Sequence, residues 1–357
     1  MTQLSRFQSA LTALDADCAI ISSETNIRYL CGFAYSDGYL LIFPDKAYLL
    51  TDFRYIEAAK AEVSGFDIRM PRCNMLTAIG SLVNSHGAKV VAVEDAEVSV
   101  AQFKKMSEAM PDATLSTGAS ELLRDMREVK LPYELELINK AQEITDAAFA
   151  HILSFISPDV TEQDVALELE FFMRQHGAEA TAFDTIAVSG ASSSLPHGVP
   201  RDKKLSRGFL TMDFGARYKG YCSDMTRTVV IGKADEDMKK VYNTVLSAQM
   251  AALERIHEGM VCRDADAIAR NIITDAGFGE CFGHSLGHGV GMYIHESPRL
   301  SSSAKEDSVL RRGNVVTVEP GIYIEGKYGC RIEDMIAIDH DGSVRNFTRS
   351  TKELIEL

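Results

Sequence analysis

The sequence predicts two domains, an α/β domain at the amino terminus and a larger α+β domain after it. Three observations carry that reading. The chain has 357 residues and 46% hydrophobic content, more than one ordinary core accommodates. Its first third alternates short apolar runs with amphipathic segments. The remainder opens on long helical patterns and then changes, from Phe183 onward, to strands with short turns.

Within the first third, Cys18–Ile21 and 89–93 have the texture of buried strands. Segments 39–43 and 48–50 form a hairpin pair around Pro44, Asp45 and Lys46, and 55–63 is predicted helical. A charged, helix-prone stretch over 121–142, interrupted by Pro132, marks the boundary. The predicted domains are therefore 1–122 and 123–357, the second starting with a helical linker. Helices are expected over 133–156 and 161–176, the latter opened by Thr161 with Asp164 three residues on, as in a capping box. Two more fall near 236–257 and 263–276. The order helix, helix, strand, strand after Pro132 thus recurs after Asp235.

Charge excludes some functions. With 37 basic and 51 acidic residues the net charge is −14, a balance that attracts neither nucleic acid nor an anionic membrane surface. No apolar run approaches the length of a bilayer span, and the opening Met-Thr-Gln-Leu-Ser-Arg-Phe lacks the pattern of an export signal, so a cytoplasmic protein is expected. Seven scattered cysteines, with no Cys-x-x-Cys, form neither a disulfide framework nor a zinc ribbon and suit a reducing compartment.

Five metal-ligand-type side chains follow in one order: Asp213, Asp224, His288, Glu319 and Glu333. Four carboxylates and an imidazole suit two hard or borderline divalent cations better than one. Asp213 and Asp224 flank a turn-rich connection over 215–220, so an antiparallel hairpin would bring both to one end of a face. Their neighbours are apolar or small, where an unpaired carboxylate is costly to bury. Glu319 follows the run Val315, Val316, Thr317, Val318, and Glu333 precedes another apolar run. Taken alone, Glu333 would form an ion pair with Arg331, which alternation places on the same strand face. The Asp pair tips the reading toward metal.

Histidines cluster as well. His197 lies in Leu-Pro-His-Gly, and His284, His288 and His295 fall within the glycine-rich stretch 283–296. Neutral imidazole ligates metal, and a second imidazole nearby can move protons near neutral pH. A tight structural turn with hydrogen-bonded histidines is the alternative. A phosphate cradle is disfavoured, since neither Gly-x-Gly-x-x-Gly nor Gly-Lys-Ser is present.

At these residues the chain resembles the metal-dependent aminopeptidases of the pita-bread fold, the group holding methionine aminopeptidase, aminopeptidase P and prolidase, with creatinase as a metal-free relative. The resemblance spans nearly the whole chain. Asn-Ile-Arg-Tyr-Leu-Cys-Gly-Phe (26–33) and Thr-Asp-Phe-Arg-Tyr (51–55) look like the creatinase-type amino-terminal domain. It implies an α/β creatinase-like domain followed by an α+β pita-bread catalytic domain.

It also implies roles. Asp213 would chelate one ion, Asp224 and Glu333 would bridge two, and His288 and Glu319 would complete the other. The metals would be Mn2+ or Co2+ first, with Zn2+ or Fe2+ possible alternatives. A water between them, its pKa lowered by both cations, would be the nucleophile, with Glu319 accepting its proton and passing it to the leaving nitrogen. His197 and His295 match positions that hydrogen-bond the scissile carbonyl or the substrate, a contribution on the order of 3 kcal/mol per well-placed donor. His284 matches a nearby position around the substrate. Arg299 would pair with the carboxylate of a dipeptide's terminal proline, its alternative being a solvated arginine or a partner of Glu296 or Asp307.

The expected enzyme is therefore a dinuclear exopeptidase cutting the Xaa-Pro bond of di- or oligopeptides, as a homodimer whose loop 34–38 approaches the partner's pocket. Aminopeptidase P is the alternative within the peptidases. Outside them stand a metal-free peptide-binding module and a creatinase-like amidinohydrolase, both disfavoured because no ligand is missing. Methionine aminopeptidase is disfavoured by the extra amino-terminal domain. Cys330, where many relatives carry an aliphatic residue, and Cys222 are read as packing.

Overall fold

The structure, a computed structural model, describes residues 2–157 and 159–357 and divides into two compact units, Met1–Met126 and Arg127–Leu357. The boundary expected between 122 and 123 falls inside a helix, since the sixth helix runs Ala119–Glu128.

In the first unit, aliphatic runs too short for helices become strands. These are β1 (Cys18–Ile21), β2 (Tyr39–Ile42), β3 (Ala47–Leu50), β4 (Asp67–Arg69), β5 (Val90–Val93) and β6 (Thr114–Ser116). They form one mixed sheet ordered β4-β3-β2-β1-β5-β6. Helices α1 (Gln3–Ala10), α2 (Glu24–Cys31), α3 (Ile56–Glu62), α4 (Met75–Ser85), α5 (Val100–Ala109) and α6 (Ala119–Glu128) complete the unit. The hairpin predicted around Pro44 is β2–β3, paired Tyr39 to Leu50. Glu94, fully buried at the end of β5, accepts from the Ser23 amide at 2.9 Å and Asn26 Nδ2 at 2.6 Å, tying the sheet to the start of α2. The segment 34–38 is less free than its polar composition suggested. Tyr35 is buried, the Ser36 and Tyr55 hydroxyls lie 2.8 Å apart, and Asp37 pairs with Arg54.

The second unit begins with α7 (Pro132–Phe155) and α8 (Glu162–Gln175). Pro132 occupies the first turn of α7, where its missing amide proton costs nothing. Thr161 and Asp164 cap α8 reciprocally, at 3.0 Å and 2.7 Å. Strands β7 (Ala180–Thr181), β8 (Ile186–Ser189), β9 (Gly208–Phe214), β10 (Ala216–Tyr218), β11 (Tyr221–Cys222) and β12 (Met225–Ile231) follow. After them come α9 (Glu236–Arg255) and α10 (Cys262–Asp275). The chain ends with β13 (Gly287–Gly289), β14 (Glu296–Leu300), β15 (Val315–Val318), β16 (Gly321–Ile324), β17 (Tyr328–Arg331), β18 (Asp334–Ile338) and β19 (Val344–Asn346).

This is the predicted recurrence: α7 and α8 cover the sheet β12-β9-β8, and α9 and α10 precede the sheet β14-β13-β15-β18-β19. One core packs α7 and α8 on Leu210, Met212 and Val229, and the other packs α9 and α10 on Val316, Val318 and Ile336. Among the described residues no helix is long and apolar enough to cross a membrane.

Candidate metal centre

Strand pairing delivers the first two carboxylates. β9 and β12 run antiparallel with Asp213 opposite Thr226, and Asp224 immediately precedes β12. The connection is not a plain turn: β10 and β11 form a smaller hairpin closed at Lys219 and Gly220, both at positive φ. Gly215 is required here, because a Cβ would sit 1.9 Å from the Ser223 carbonyl.

The other three candidates come from separate segments. His288 is the middle residue of β13, Glu319 follows the end of β15, and Glu333 lies in the break between β17 and β18. Thr317 organises two of them. Its hydroxyl accepts from the His288 amide at 3.1 Å and donates to Glu319 Oε1 at 3.0 Å. Thr226 donates to Glu333 Oε2 at 2.7 Å, while the Glu333 amide donates to the Thr226 carbonyl at 3.1 Å. Glu333 is thereby sewn to the strand that follows Asp224.

The donor atoms converge. Asp224, His288 and Glu333 each present one within 4.8 Å of the others, and all three are buried. His288 Nε2 lies 3.5 Å from Asp224 Oδ2 and 3.4 Å from Glu319 Oε1. Its Nδ1 faces the Gly289 carbonyl at 3.0 Å, and since a carbonyl only accepts, the proton sits on Nδ1. Burial pushes the His288 imidazole down to about 4, so the ring is neutral and turns a lone pair toward two carboxylates. That contact repels unless a cation stands between.

The carboxyls show the same conflict. Burial, then the charges of Glu333, Asp213 and Glu319, raise Asp224 well above the usual range, and burial with Glu319 and Asp213 does so for Glu333. Burial pushes Glu319 up to about 7. Asp213 Oδ1 is buried with no hydrogen-bond partner among the described residues. A pocket in which five carboxylates face two arginines, with an orphaned carboxylate oxygen among them, fits divalent metal.

Arg331 behaves otherwise than alternation predicts. Its partner is Asp213 Oδ2, not Glu333, because β17 ends at Arg331 and the chain breaks register before Glu333. The guanidinium also donates to Tyr323 Oη at 2.6 Å and Thr226 Oγ1 at 2.9 Å. Tyr323 Oη in turn lies 2.9 Å from His284 Nε2, and His284 Nδ1 faces the Ser285 carbonyl at 2.9 Å. Burial holds His284 near 4, a neutral ring that accepts from the tyrosine. Tyr323 escaped the sequence reading because a tyrosine in an apolar strand resembles core.

All nine candidates, Asp213, Asp224, His288, Glu319, Glu333, His197, His284, His295 and Arg299, line one cleft of about 350 Å3 with Phe183, Asp184, Ile186 and Arg331. The His295 ring stands edge-on to His288, centroids 4.4 Å apart, and burial lowers its pKa. The next residue fixes that segment. Glu296 accepts from Lys130 at 3.1 Å and Arg127 at 3.2 Å, so its pairing with Arg299 is not made. A Cβ on Gly291 would collide with the Glu296 carboxylate at 2.3 Å. Neither cysteine lines the cleft. Cys222 Sγ faces the Met292 carbonyl at 3.7 Å and Cys330 packs in the second core, and burial pushes their thiols to about 11 and about 12.

Residues 136–340 match the model of metallopeptidase family M24, and residues 3–129 that of the creatinase/prolidase N-terminal domain. A protein named Xaa-Pro dipeptidase from Pyrococcus horikoshii is 40% identical over 95% of this chain and 94% of its own. Among solved structures, an Xaa-Pro dipeptidase from Bacillus anthracis superposes with TM-score 0.95 at 41% identity, covering 99% of both chains. An X-Pro aminopeptidase from Thermotoga maritima does so with TM-score 0.91 at 37% identity, covering 98% of this chain and 100% of its own. The expected combination of a creatinase-like domain and a pita-bread catalytic domain is thus the fold of the chain.

Proposed function

The chain belongs to metallopeptidase family M24 and carries a creatinase/prolidase amino-terminal domain, and from that membership we propose that it hydrolyses the Xaa-Pro bond of dipeptides with two divalent cations. The observation that carries the proposal is the convergence of Asp224, His288 and Glu333 donor atoms within 4.8 Å, beside Glu319 and the free Oδ1 of Asp213. These five side chains would hold the ions, Asp213 through Oδ1 because Arg331 occupies Oδ2. Divalent cations there supply Lewis acidity, lowering the pKa of water and withdrawing charge from a carbonyl oxygen.

The chain's own groups do the rest. Glu319, oriented by Thr317, receives a proton from water and returns it to the leaving nitrogen. His295 and His197, at the cleft's edge, donate to the scissile carbonyl oxygen as it gains charge. His284, held by Tyr323, lines the same wall. Arg299 lies in β14 with no salt bridge among the described residues, so its guanidinium is available to the carboxylate of a carboxy-terminal proline. That availability, with the names of the Pyrococcus and Bacillus anthracis proteins, favours a dipeptidase. The Thermotoga protein's name supports the second reading, an Xaa-Pro aminopeptidase. We take the protein to be a cytoplasmic homodimer whose loop 34–38 contributes to the partner's pocket, and Mn2+ or Co2+ to be its metal.

The test is metal analysis of protein never exposed to chelator, with hydrolysis of Xaa-Pro, Xaa-Pro-Xaa and Met-Xaa-Xaa peptides. Two equivalents of metal and fastest cleavage of Xaa-Pro are expected. Protein without metal that Mn2+ or Co2+ cannot activate would remove the proposal, and a preference for tripeptides would replace the dipeptidase by the aminopeptidase.

A further inference from the structure

A second cavity, of about 540 Å3, opens off the metal cleft and shares Asp184, Ile186 and His197 with it. Its floor and walls are Gln163, Ala166, Leu167 and Glu170 of α8, Thr185 and Ile186 at the start of β8, and the loop 197–200.

The groove is built rather than incidental. Glu162, fully buried at the start of α8, accepts from the Arg201 amide at 3.1 Å and from its guanidinium at 2.7 Å and 2.6 Å, which pins the loop forming one wall. The same carboxylate accepts from the Ser189 amide at 2.7 Å, at the far end of β8. Inside, Thr185 is 5% exposed and its hydroxyl has no hydrogen-bond partner among the described residues. The rim is apolar: Leu167 and Val199 are 63% and 77% exposed. Glu170 and Asp184 are the lining acids, and no lysine or arginine lines the groove.

These features define a ligand. Leu167, Ala166, Ile186 and Val199 cover an alkyl stem, the exposed Gln163 meets a hydrogen-bonding end, and Glu170 and Asp184 favour positive charge. An Xaa-Pro dipeptide has one side chain besides the proline ring. Arg299, which would take the prolyl carboxylate, lines the metal cleft but not the groove, so the groove is left for Xaa. We propose that this groove is the subsite for the side chain amino-terminal to proline, and that it selects long side chains with an apolar stem and a cationic end, lysine and arginine, over acidic ones. The proposal rests on the Xaa-Pro reading and adds its amino-terminal specificity.

Its test compares kcat/KM of the metal-loaded enzyme on Gly-Pro, Leu-Pro, Lys-Pro and Glu-Pro, with Glu170→Lys and Leu167→Ala as variants. Wild-type enzyme prefers Lys-Pro, then Leu-Pro, and cleaves Glu-Pro most slowly. Glu170→Lys shifts the Lys-Pro to Glu-Pro ratio toward Glu-Pro by about tenfold, and Leu167→Ala lowers the Leu-Pro to Gly-Pro ratio by about threefold. Leu167 is exposed and Glu170 half-buried on α8, and circular dichroism confirms that both variants fold. If neither ratio moves while Xaa-Pro dipeptides are still cleaved, the subsite is wrong and the peptidase reading stands. If Leu167→Ala slows all substrates alike and weakens self-association in sedimentation, the rim belongs to a second copy of the chain and the proposal is overturned. Failure to cleave any of the four removes both readings together.

Discussion

The two halves of the catalytic unit are built alike and arm the cleft differently. Each pairs a long helix with a shorter one whose first turns carry a buried acid tied to the sheet. In the first half Glu162 accepts from the Ser189 amide at 2.7 Å, and in the second Asp266 accepts from the Leu286 amide at 2.9 Å. Each acid also holds an arginine, Arg201 and Arg270. The first half then delivers Asp213 and Asp224 through one ladder of paired strands, whereas the second delivers His288, Glu319 and Glu333 from three separate segments. Charge differs too. The first half brings Asp184, Asp213 and Asp224 to the cleft and no lysine or arginine, whereas the second brings both arginines, Arg299 and Arg331, beside Glu319 and Glu333. The scaffold is thus repeated while the chemistry is divided, with both cleft arginines drawn from one half.

Breaking the contribution of either half at the metal should have the largest effect. Asp224→Asn from the first half and Glu333→Gln from the second should each lower turnover by orders of magnitude, because on the proposed two-metal reading the acidity of the activated water depends on the charges that would hold the cations. Circular dichroism should stay native. Near-normal turnover of Asp224→Asn with unchanged metal content would mean the ions are not shared between the halves.

Arg331 joins the halves, reaching from the second to Asp213 and Thr226 in the first. Truncating one member of a buried ion pair typically costs about 3–5 kcal/mol. Arg331→Ala should approach that loss in chelator-treated protein, where Asp213, Asp224, Glu319 and Glu333 are left without their arginine, and lose less when metal is bound, since cations replace the missing charge. Urea midpoints with and without Mn2+ measure both. Equal losses in the two states would mean that Arg331 acts by packing alone.

This asymmetry also decides what could be read from the chain. The Asp213 and Asp224 pair was legible because hairpin geometry is local, and so were the α8 capping box and the recurrence of helix pairs. The partner of Arg331 was not. Alternation holds only within a continuous strand, and the chain leaves β17 at Arg331 and enters β18 at Asp334, so Glu333 falls outside either periodicity. Lys130 read as part of a charged helical stretch and is buried against Glu296, 166 residues away. Thr226 and Thr317, which orient three candidate ligands, resemble ordinary strand threonines. Their importance lies in contacts between segments that pattern does not encode.

The buried acids test the likeness of the halves. Glu162→Gln and Asp266→Asn should each cost about 1–3 kcal/mol, the loss expected when a buried group is left partly unsatisfied. Burial alone would raise the Glu162 carboxyl, yet bonds from Arg201 and Ser189 hold it below the usual range. A lowered folded pKa makes its contribution full above the unfolded value of about 4.3 and lost as pH falls through the folded one. The stability gap between wild type and Glu162→Gln should therefore be constant near neutrality and close in acid. A gap that persists unchanged in acid would show the substitution acting through shape rather than charge.

The smallest effect concerns the cationic side of the cleft. Arg299 is exposed on β14, Glu296 is committed to Arg127 and Lys130, and no salt bridge holds the guanidinium among the described residues. A planar fork held at the cleft wall can accept the carboxylate of a terminal proline through two charge-assisted bonds. Solvent exposure weakens such a pair, so Arg299→Ala should raise KM for Xaa-Pro dipeptides by about threefold to tenfold rather than abolish cleavage. Xaa-Pro-Xaa tripeptides, which present an amide where the dipeptide presents its carboxylate, should change little. The contrast with Glu170→Lys then completes the comparison: one substitution should alter discrimination at the carboxyl end and the other at the amino-terminal side chain. Equal losses on dipeptides and tripeptides, or none on either, would return Arg299 to the solvent and favour the aminopeptidase.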